Sequence, residues 1–560
     1  MKIRPYRLVG SAALAVALLL ALFVPAIAEN ATPPASFGSG VAALDDVREL
    51  VLPQVDVLRY VEEDEERMAS EPGGPYRFAA PHFLSLTPDR EGTWESLRDG
   101  SRIWRLRVHS AGALSLNFGF VPFDLPEGAI VHVYDPERRN VYGPYGPHDA
   151  VEGEFWTPIL PGDRAVIELF VPAVASFEPT LSLAQVSHDY RGFASMAANK
   201  LMQGWCNNDV ICREGDPWRD DIRSVGVYTL QGSWTCSGQM VNSNTEDPPP
   251  YFLTAYHCGI TSGNAQTVRV YWNYESPNCG QLCCGSLSQN QYGSTLRARY
   301  STSDFCLIQL SRDPDSLFNV YYAGYDATGA AVSSSVCIHH PNCDEKAISF
   351  NTDPLTVTSY LGTSVPGNGT HWRVDDWEDG TTEPGSSGSG LWDPNHRLVG
   401  QLHGGYASCS SITSDWYGRL SVSWTGGGTS ATRLRDWLDP DNTGTLVLDG
   451  RDPGAIDTKV ADGRPAGGDR NALFPITPNP TRGSARILFN LKKAGVVEME
   501  VFSASGRLVS TMPARSFSAG SGAVTWDGGG EAGDLPAGVY FVRMRIDGEV
   551  SGTEKVVLLR

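Results

Sequence analysis

Three short segments of the sequence carry residue types that together could hydrolyse an amide bond. His257 follows the apolar run FLTAY and precedes Cys258, so a disulfide could hold it at a barrel edge, where a general base needs a fixed position. Asp304 stands directly before the apolar run FCLIQL, and a buried carboxylate needs a partner. Ser387 lies in the small-residue run PGSSGSG, where the backbone can turn sharply. In this order the three residues predict a histidine base, an aspartate that orients it and a serine nucleophile.

The loop around Ser387 could also stabilise the negative charge that forms during acyl transfer. The backbone amides of Gly385 and Ser387 are predicted to converge as an oxyanion hole, in which one donor is typically worth about 3–4 kcal/mol. Each motif alone also fits a structural histidine, a turn aspartate or a flexible Gly/Ser linker. The order of all three, and the strand-like VGQLHGG that follows the serine, favours catalysis over those interpretations.

The first 28 residues have the pattern of a secretory signal peptide. A basic start (MKIRPYR) precedes an apolar run over 9–24, and Ala26–Ala28 fits a small-x-small cleavage site. The run of about 16 residues is shorter than the ~20 that a membrane span needs. We therefore expect a secreted, extracellular protein, with or without attachment to the cell surface, that has no membrane span after signal removal.

Beyond residue 28 the chain divides into folded regions joined by linkers. Residues 29–200 show helical periodicity over 40–70, interrupted at Pro53, and strand patterns over 103–190. This region is predicted to have a helical start and a β-rich remainder, without a catalytic cluster of its own. The length of 560 residues fits several domains, since one core seldom serves more than ~250–300 residues.

The other regions are predicted to be rich in β-strands. Residues 201–449 hold all eleven cysteines and predict an all-β double-sheet or barrel domain with one short helix in SATRLRDWL. Residues 450–470 are rich in Gly, Pro and charge, which is typical of a linker. Residues 471–560 predict an Ig-like β-sandwich of about seven strands. The formal net charge of −20 argues against nucleic acid as a partner.

The central region resembles bacterial lysyl endopeptidases over most of 201–449. The shared stretches include CNNDVICREGD, YFLTAYHCG, TSDFCLIQL, TEPGSSGSGLW, RLVGQLHGG and SDWYGRL. The resemblance implies a chymotrypsin-like double β-barrel and a secreted endopeptidase that cuts proteins or peptides after lysine through an acyl-enzyme, with no cofactor and no metal. His257, Asp304 and Ser387 match the family's triad. Ser386 stands where trypsin-like zymogens carry the aspartate that pairs with a new N-terminus.

The resemblance also implies a specificity pocket. Asp415 matches the acid at its base, and a desolvated carboxylate selects a cationic side chain. His403, Gly404 and Gly405 match the segment that pairs with substrate backbone, and Tyr360 takes the place of a tryptophan that stacks on the pocket histidine. Charge alone does not separate lysine from arginine. An arginine- or dual-specific protease, and a non-catalytic adhesin with a protease-like domain, are the alternatives.

Three disulfides are implied by the resemblance, and five cysteines have no counterpart. The implied disulfides are Cys206–Cys409, Cys212–Cys279 and Cys236–Cys258. The five further cysteines are Cys283, Cys284, Cys306, Cys337 and Cys343. An odd number leaves at least one thiol that is free or intermolecular. A Cys337–Cys343 disulfide is favoured over a metal site in the run CIHHPNC, because disulfides persist outside the cell.

The resemblance also suggests roles for the regions on either side of residues 201–449. Residues 29–200 correspond to a pro-region, and a lysine-specific enzyme could cut the Lys200–Leu201 bond itself. Residues 471–560 resemble C-terminal Ig-like sorting domains of exported bacterial proteins. Such domains address a protein to the type IX secretion machinery or hold it at the surface, and a spacer or carbohydrate-binding sandwich is the alternative.

Overall fold

The computed structural model describes most of the chain, in two compact units that span residues 1–455 and 456–560. The described residues are 32–193 except 39 and 71–73, 204–452 except 282, and 471–559 except 474, 475, 477, 478, 480, 482–484, 505, 518, 519, 527, 531 and 532. The predicted signal peptide, the Lys200–Leu201 bond and linker residues 453–470 lie outside this set. Within it, no helix is both long and apolar enough to span a membrane.

The N-terminal region, residues 32–193, is a β-sandwich with one α-helix inserted after its first strand. One sheet has the order β1-β5-β11-β7-β8 with β4 on β5, and the other has β10-β6-β12-β3 with β9 on β6. The inward side chains form one apolar core that includes Leu106, Phe118 and Ile167. The elements are β1 Glu49–Val51, α1 Val57–Ser70, β2 Tyr76–Arg77, β3 Ala79–Leu86, β4 Thr93–Ser96, β5 Arg102–His109, β6 Ser115–Asp124, β7 Ile130–Tyr134, β8 Val141–Tyr145, β9 Phe155–Trp156, β10 Leu160–Pro161, β11 Arg164–Val171 and β12 Thr180–Asp189.

The predicted helical periodicity over 40–70 yields a helix only beyond Pro53. Before the proline, β1 pairs in parallel with β5, so that Leu50 lies opposite Val108. Proline has no backbone N–H to donate within a helix, and the backbone groups of β1 before it already form hydrogen bonds in the sheet. The helix prediction was therefore wrong before Pro53 and right for residues 57–70.

The central region, residues 204–452, contains two large sheets that share one apolar core and each have a further core. The first has the order β18-β17-β14-β15-β16-β20-β19, and the second has β13-β23-β22-β26-β27-β28-β25-β24 with β21 and β29 at its side. This arrangement is the predicted chymotrypsin-like double β-barrel. The elements are β13 Asn208–Asp209, α2 Arg219–Ser224, β14 Val225–Leu230, β15 Trp234–Met240, β16 Tyr251–Ala255, β17 Arg269–Trp272, β18 Asn290–Tyr292, β19 Ser294–Tyr300, β20 Phe305–Leu310, β21 Gly324–Asp326, β22 Ser335–His339, β23 Ala347–Asn351, β24 Thr356–Thr358, β25 His371–Val374, β26 Gly390–Trp392, β27 Arg397–Gly405, β28 Asp415–Arg419, α3 Leu420–Thr425, α4 Arg435–Leu438 and β29 Val447–Leu448.

The helices near the end of the central region differ from the prediction. Only Arg435–Leu438 of the run SATRLRDWL is α-helical, because a turn closed by Thr432 N–H on the Thr429 carbonyl precedes it. The helix Leu420–Thr425 was not predicted. Its sequence LSVSWT has modest helix propensity, and burial of its Leu and Trp side chains decides its conformation.

The N-terminal region packs directly on the first central sheet. Strand β2 adds to β15, with Arg77 opposite Trp234. A shared apolar core joins Tyr76, Phe78 and Phe193 from the N-terminal region to residues of the central region, which are Val227, Tyr271, Tyr274 and Cys343. The predicted pro-region and protease domain therefore form one compact unit.

The C-terminal region, residues 471–559, is a small β-sandwich, as predicted. Its sheets have the orders β30-β31-β34 and β33-β32-β37-β38, with a short β35–β36 pair. Apolar residues such as Ile487, Val501 and Val542 alternate inward along their strands. The strands are β30 Ala472–Leu473, β31 Ala485–Leu491, β32 Gly495–Ser503, β33 Leu508–Phe517, β34 Gly520–Trp526, β35 Gly529–Gly530, β36 Gly533–Asp534, β37 Gly538–Ile546 and β38 Glu549–Leu558.

Candidate active site

Strand pairing in the first central sheet brings His257 and Asp304 together. His257 lies in a 3-10 turn directly after β16, and Asp304 directly precedes β20. The two strands are antiparallel, with Ala255 opposite Phe305, so the end of one meets the start of the other. The Cys236–Cys258 disulfide ties the His257 turn to β15.

The histidine and the aspartate form a two-point hydrogen-bonded pair. His257 Nδ1 lies 2.8 Å from Asp304 Oδ2, and the His257 backbone N–H donates to Oδ1 over 3.0 Å. Burial alone would raise the pKa of Asp304, but the nearby His257 and His403 and these hydrogen bonds hold it below its ordinary value. Asp304 is thus an ionised acceptor, which assigns the Nδ1 proton to the histidine and leaves Nε2 for another partner.

The Ser387 loop reaches the same point from the second sheet. The Ser387 carbonyl accepts from Ser237 N–H over 2.9 Å, and Gly388 N–H donates to the Leu402 carbonyl over 2.9 Å. Cys258 Sγ lies 3.8 Å from His257 Nε2 and 3.9 Å from the Ser387 carbonyl oxygen. The Cys258 sulfur therefore contacts both His257 and the Ser387 backbone at the junction of the two sheets, and Asp304 joins them through its hydrogen bonds to His257.

Glycines on both sides of Ser387 permit this close approach. Gly385 and Gly388 have φ values of +92° and +84°, which favour glycine. A Cβ at Gly388 would overlap Thr254 Oγ1, and one at Gly385 would lie 3.1 Å from Cys343 N. These two glycines of the run PGSSGSG are therefore structural requirements of an ordered loop.

Asp415, the predicted pocket acid, is buried at the start of β28. Its Oδ2 accepts from Trp377 Nε1 over 2.8 Å and from Thr382 Oγ1 over 2.6 Å. Burial raises the pKa of Asp415 to about 6, against the opposing effect of these donors. Gly405 lies opposite Asp415 in the sheet, and a Cβ there would overlap the carboxylate. The carboxylate is desolvated, and none of its hydrogen-bond donors among the described residues is a cationic side chain.

His403 lies between the catalytic candidates and Tyr360. The Tyr360 and His403 rings are stacked, with centroids 3.5 Å apart and planes 6° apart. On its other side, His403 is parallel to His257 at a centroid distance of 5.3 Å. Burial lowers the pKa of His403 to about 3, so the ring is neutral. Gly404, next in the chain, has φ +143° and lies at a bulge of β27 opposite Trp416.

His371 also belongs to this cluster, although the sequence did not single it out. Its Nε2 lies 3.0 Å from His403 Nδ1, and its Nδ1 lies 2.7 Å from Thr370 Oγ1. Burial lowers the pKa of His371 to about 4. His371 lies on β25 and His403 on β27, and β28 lies between these two strands. The contact therefore depends on strand order, and no sequence motif predicts it.

The structure contains the three disulfides that the resemblance implies, but not the fourth expected pair. Cys206–Cys409, Cys212–Cys279 and Cys236–Cys258 are bonded, and Cys283 is bonded to its neighbour Cys284. The predicted Cys337–Cys343 disulfide is wrong, since both are buried thiols, as is Cys306. Cys337 contacts Ser389 Oγ at 3.3 Å, whereas Cys343 packs in the core shared with the N-terminal region.

Comparison with known proteins places both large regions of the first unit in one family. Residues 61–190 match the model of the lysyl endopeptidase N-terminal domain, and residues 202–418 match that of the lysyl endopeptidase C-terminal domain. A lysyl endopeptidase of Pseudomonas aeruginosa is 28% identical over 375 residues, which cover 62% of this chain and 79% of that protein. Residues 478–548 match the FlgD Ig-like domain.

Solved structures with a related shape are more distant. A Glu endopeptidase in complex with MPD is 16% identical, and the match has a TM-score of 0.25. It covers 38% of this chain and 91% of the Glu endopeptidase chain. The Rv3671c protease from M. tuberculosis is 12% identical, and the match has a TM-score of 0.24. It covers 40% of this chain and 88% of the Rv3671c chain. The two family-model matches and the curated relative show that residues 61–190 and 202–418 are the two domains of a lysyl endopeptidase-like protein, and that the protein is a serine endopeptidase.

Proposed function

We propose that the protein hydrolyses peptide bonds on the carboxyl side of lysine, with Ser387 as nucleophile, His257 as general base and Asp304 as the residue that orients the base. The observation that carries the proposal is the His257–Asp304 pair beside the Ser387 loop, 2.8 Å between Nδ1 and Oδ2. This pair leaves His257 Nε2 to take the serine proton.

The chemistry would follow the acyl-enzyme route. Ser387 Oγ attacks the substrate carbonyl carbon while its proton passes to His257 Nε2, and the amides of Gly385 and Ser387 receive the carbonyl oxygen as it becomes negative. His257 then gives that proton to the departing amine, which leaves as the new N-terminus. Water repeats the sequence on the acyl-enzyme and releases the new carboxylate. Asp304 stays ionised throughout and stabilises the imidazolium.

The environment of Asp415 favours lysine over arginine. One carboxylate oxygen already accepts from Trp377 and Thr382, and the Ala407 backbone N–H is a further donor to the carboxylate. A planar guanidinium binds best when both carboxylate oxygens accept in parallel, whereas an ammonium acts as a compact point charge. A carboxylate already engaged at one oxygen therefore suits the ammonium better.

We also propose that the chain is exported and made as a zymogen. The basic and apolar start of the sequence supports a signal peptide ending at Ala28. The match of residues 61–190 to the family's N-terminal domain, and the core that they share with the central region, support a pro-region that is removed by cleavage near Lys200–Leu201. The Ig-like C-terminal region supports a role in sorting by the secretion machinery or in attachment to the cell surface.

A digest of a denatured protein mixture with the purified mature protein tests the activity and its specificity together. We expect mass spectrometry to show cuts after lysine and at least about tenfold fewer after arginine. Ser387→Ala should abolish cleavage, and Ser410→Ala, a change of an exposed serine in the same domain, should leave it unchanged. Equal cutting after both cations would support the dual-specific alternative. Activity retained by Ser387→Ala would refute the assigned nucleophile, and a correctly folded wild type that cuts nothing would favour the adhesin.

A further inference from the structure

A second histidine lies behind the Ser387 loop, away from the catalytic pair. His339 is the last residue of β22 and is fully buried. Its Nδ1 lies 2.8 Å from Ser386 Oγ, and its Nε2 lies 3.0 Å from Ser349 Oγ on the neighbouring strand β23. Both ring nitrogens therefore bond serine hydroxyls, and one of those serines directly precedes the proposed nucleophile.

The neighbouring groups determine where each proton lies. The Ser349 hydroxyl donates to the Thr381 carbonyl over 3.0 Å, so it accepts from His339 Nε2–H. A neutral ring with its proton on Nε2 presents Nδ1 as an acceptor, so the Ser386 hydroxyl donates to it. Ser386 Oγ in turn accepts from the Glu383 backbone N–H over 3.2 Å. Burial lowers the pKa of His339 to about 3, which agrees with a neutral ring at neutral pH.

This chain of hydrogen bonds restrains the loop at three places. It holds the Thr381 carbonyl, the Glu383 amide and the Ser386 hydroxyl, all within six residues of Ser387. Every bond in it is made between neutral groups, and all except the partly buried Glu383–Ser386 bond lie in the interior. Trypsin-like zymogens have an aspartate where this chain has Ser386, and that aspartate pairs with a new N-terminal amine. In this protein Ser386 instead bonds His339.

We propose that His339 is a positioning residue that holds residues 381–387 in their catalytic shape through Ser386, in place of an ion pair with the chain's N-terminus. The proposal rests on the function proposed above for Ser387 and its neighbouring amides. It follows that the oxyanion hole is ordered in the uncleaved chain, and that activation requires removal of the pro-region rather than reshaping of this loop.

The test separates loop geometry from pocket binding in the mature enzyme. Ser386→Ala removes the bond to His339 and little volume, and His339→Gln removes the ring. For both we expect kcat on a lysyl peptide amide to fall about 10- to 100-fold, because small displacements of catalytic groups have effects of that size. We expect KM to change less than twofold. The affinity for a lysyl boronate, which forms a tetrahedral adduct at the oxyanion hole, should fall by the same factor as kcat.

Butylamine, which occupies only the cationic pocket, should bind both variants as it binds wild type. Ser335→Ala, which alters a buried serine at the other end of the same β22–β23 pair, is the matched control and should leave all four quantities unchanged. If His339→Gln does not fold, Ser386→Ala decides alone. A kcat within twofold of wild type, or a parallel loss of butylamine affinity, would overturn the role of His339. Activity retained by Ser387→Ala would instead overturn the proposed function beneath it.

Discussion

Asp304 and Asp415 are both buried carboxylates in the same domain, yet their environments shift their pKa values in opposite directions. Asp304 is surrounded by two histidine rings and a backbone N–H, and its pKa lies below the ordinary value. Asp415 is surrounded by a tryptophan N–H, a threonine hydroxyl and a backbone N–H, and burial raises its pKa to about 6. Burial is the largest influence on both, so the partners make the difference.

The contrast shows how one domain can use the same side chain in two ways. His257, which takes up a proton during the proposed reaction, and its backbone N–H compensate the charge of Asp304 from within the protein, so Asp304 stays ionised and orients a base. Neutral donors compensate the charge of Asp415 only partly, so the remaining stabilisation has to come from a cation supplied by the substrate. In this interpretation Asp304 supports catalysis and Asp415 supports recognition, and the following predictions can break or sharpen that division.

The largest effect is expected from Asp304→Asn. An amide presents the wrong partner to His257 Nδ1, and in well-studied triads the same change lowers kcat about 10⁴-fold. We expect that loss in kcat, with KM for a lysyl peptide changed by less than about threefold, in steady-state kinetics of the mature enzyme. A fall smaller than tenfold would remove Asp304 from the triad.

Asp415→Asn is expected to have a smaller effect, and a different one. Removal of the charge that pairs with lysine should lower kcat/KM for lysyl substrates about 10²-fold or more, because a desolvated cation loses its partner. Substrates with an uncharged residue at that position should be cut at an unchanged or higher rate. Asp376→Asn, an exposed neighbour, is the matched control and should behave as wild type. Equal losses on charged and uncharged substrates would contradict a recognition role.

The pH dependence of pocket binding should report Asp415 alone. Below its raised pKa of about 6 the free carboxyl is protonated, so a cation loses its attraction as the pH falls. We expect the dissociation constant of butylamine to be constant above about pH 7 and to rise up to tenfold per pH unit below pH 6. The Asp415→Asn variant should bind weakly with no such slope. If the butylamine dissociation constant of that variant depended on pH as strongly as in wild type, a group other than Asp415 would be responsible.

The smallest effect is expected from His371→Phe, which keeps a ring but removes the hydrogen bond to His403. The His403 ring would then be held by the Tyr360 stack without its 3.0 Å contact to His371 Nε2. We expect kcat/KM for lysyl substrates to fall about three- to tenfold, in line with the loss of one hydrogen bond of about 1 kcal/mol. Discrimination of lysine from arginine should fall with it. If the ratio of kcat/KM for lysyl and arginyl substrates stayed unchanged, His371 would have no role in the specificity pocket.

The sequence by itself determined which residues are candidates for the chemistry. His257, Asp304 and Ser387 lie in motifs whose order and residue types carry their chemistry, because each needs a particular neighbour along the chain: a cysteine, an apolar strand or small residues that permit a tight turn. The β-strands and the three family disulfides followed from local patterns and from resemblance. The strand before Pro53 and the helix Leu420–Thr425 did not, since pairing and burial outweigh local propensity there.

Only the tertiary structure decided the contacts that reach across strands. His371 contacts His403 because of the order of the strands, and His339 contacts Ser386 because the Ser387 loop packs on the end of β22. Neither contact produces a fixed spacing in the sequence. The Cys337–Cys343 prediction failed for the same reason: six residues apart, the two thiols lie in different cores. The opposite pKa shifts of Asp304 and Asp415 likewise depend on which groups the fold packs against each carboxylate. Residue types are local properties of the sequence, whereas desolvation and hydrogen-bond partners are properties of the assembled fold.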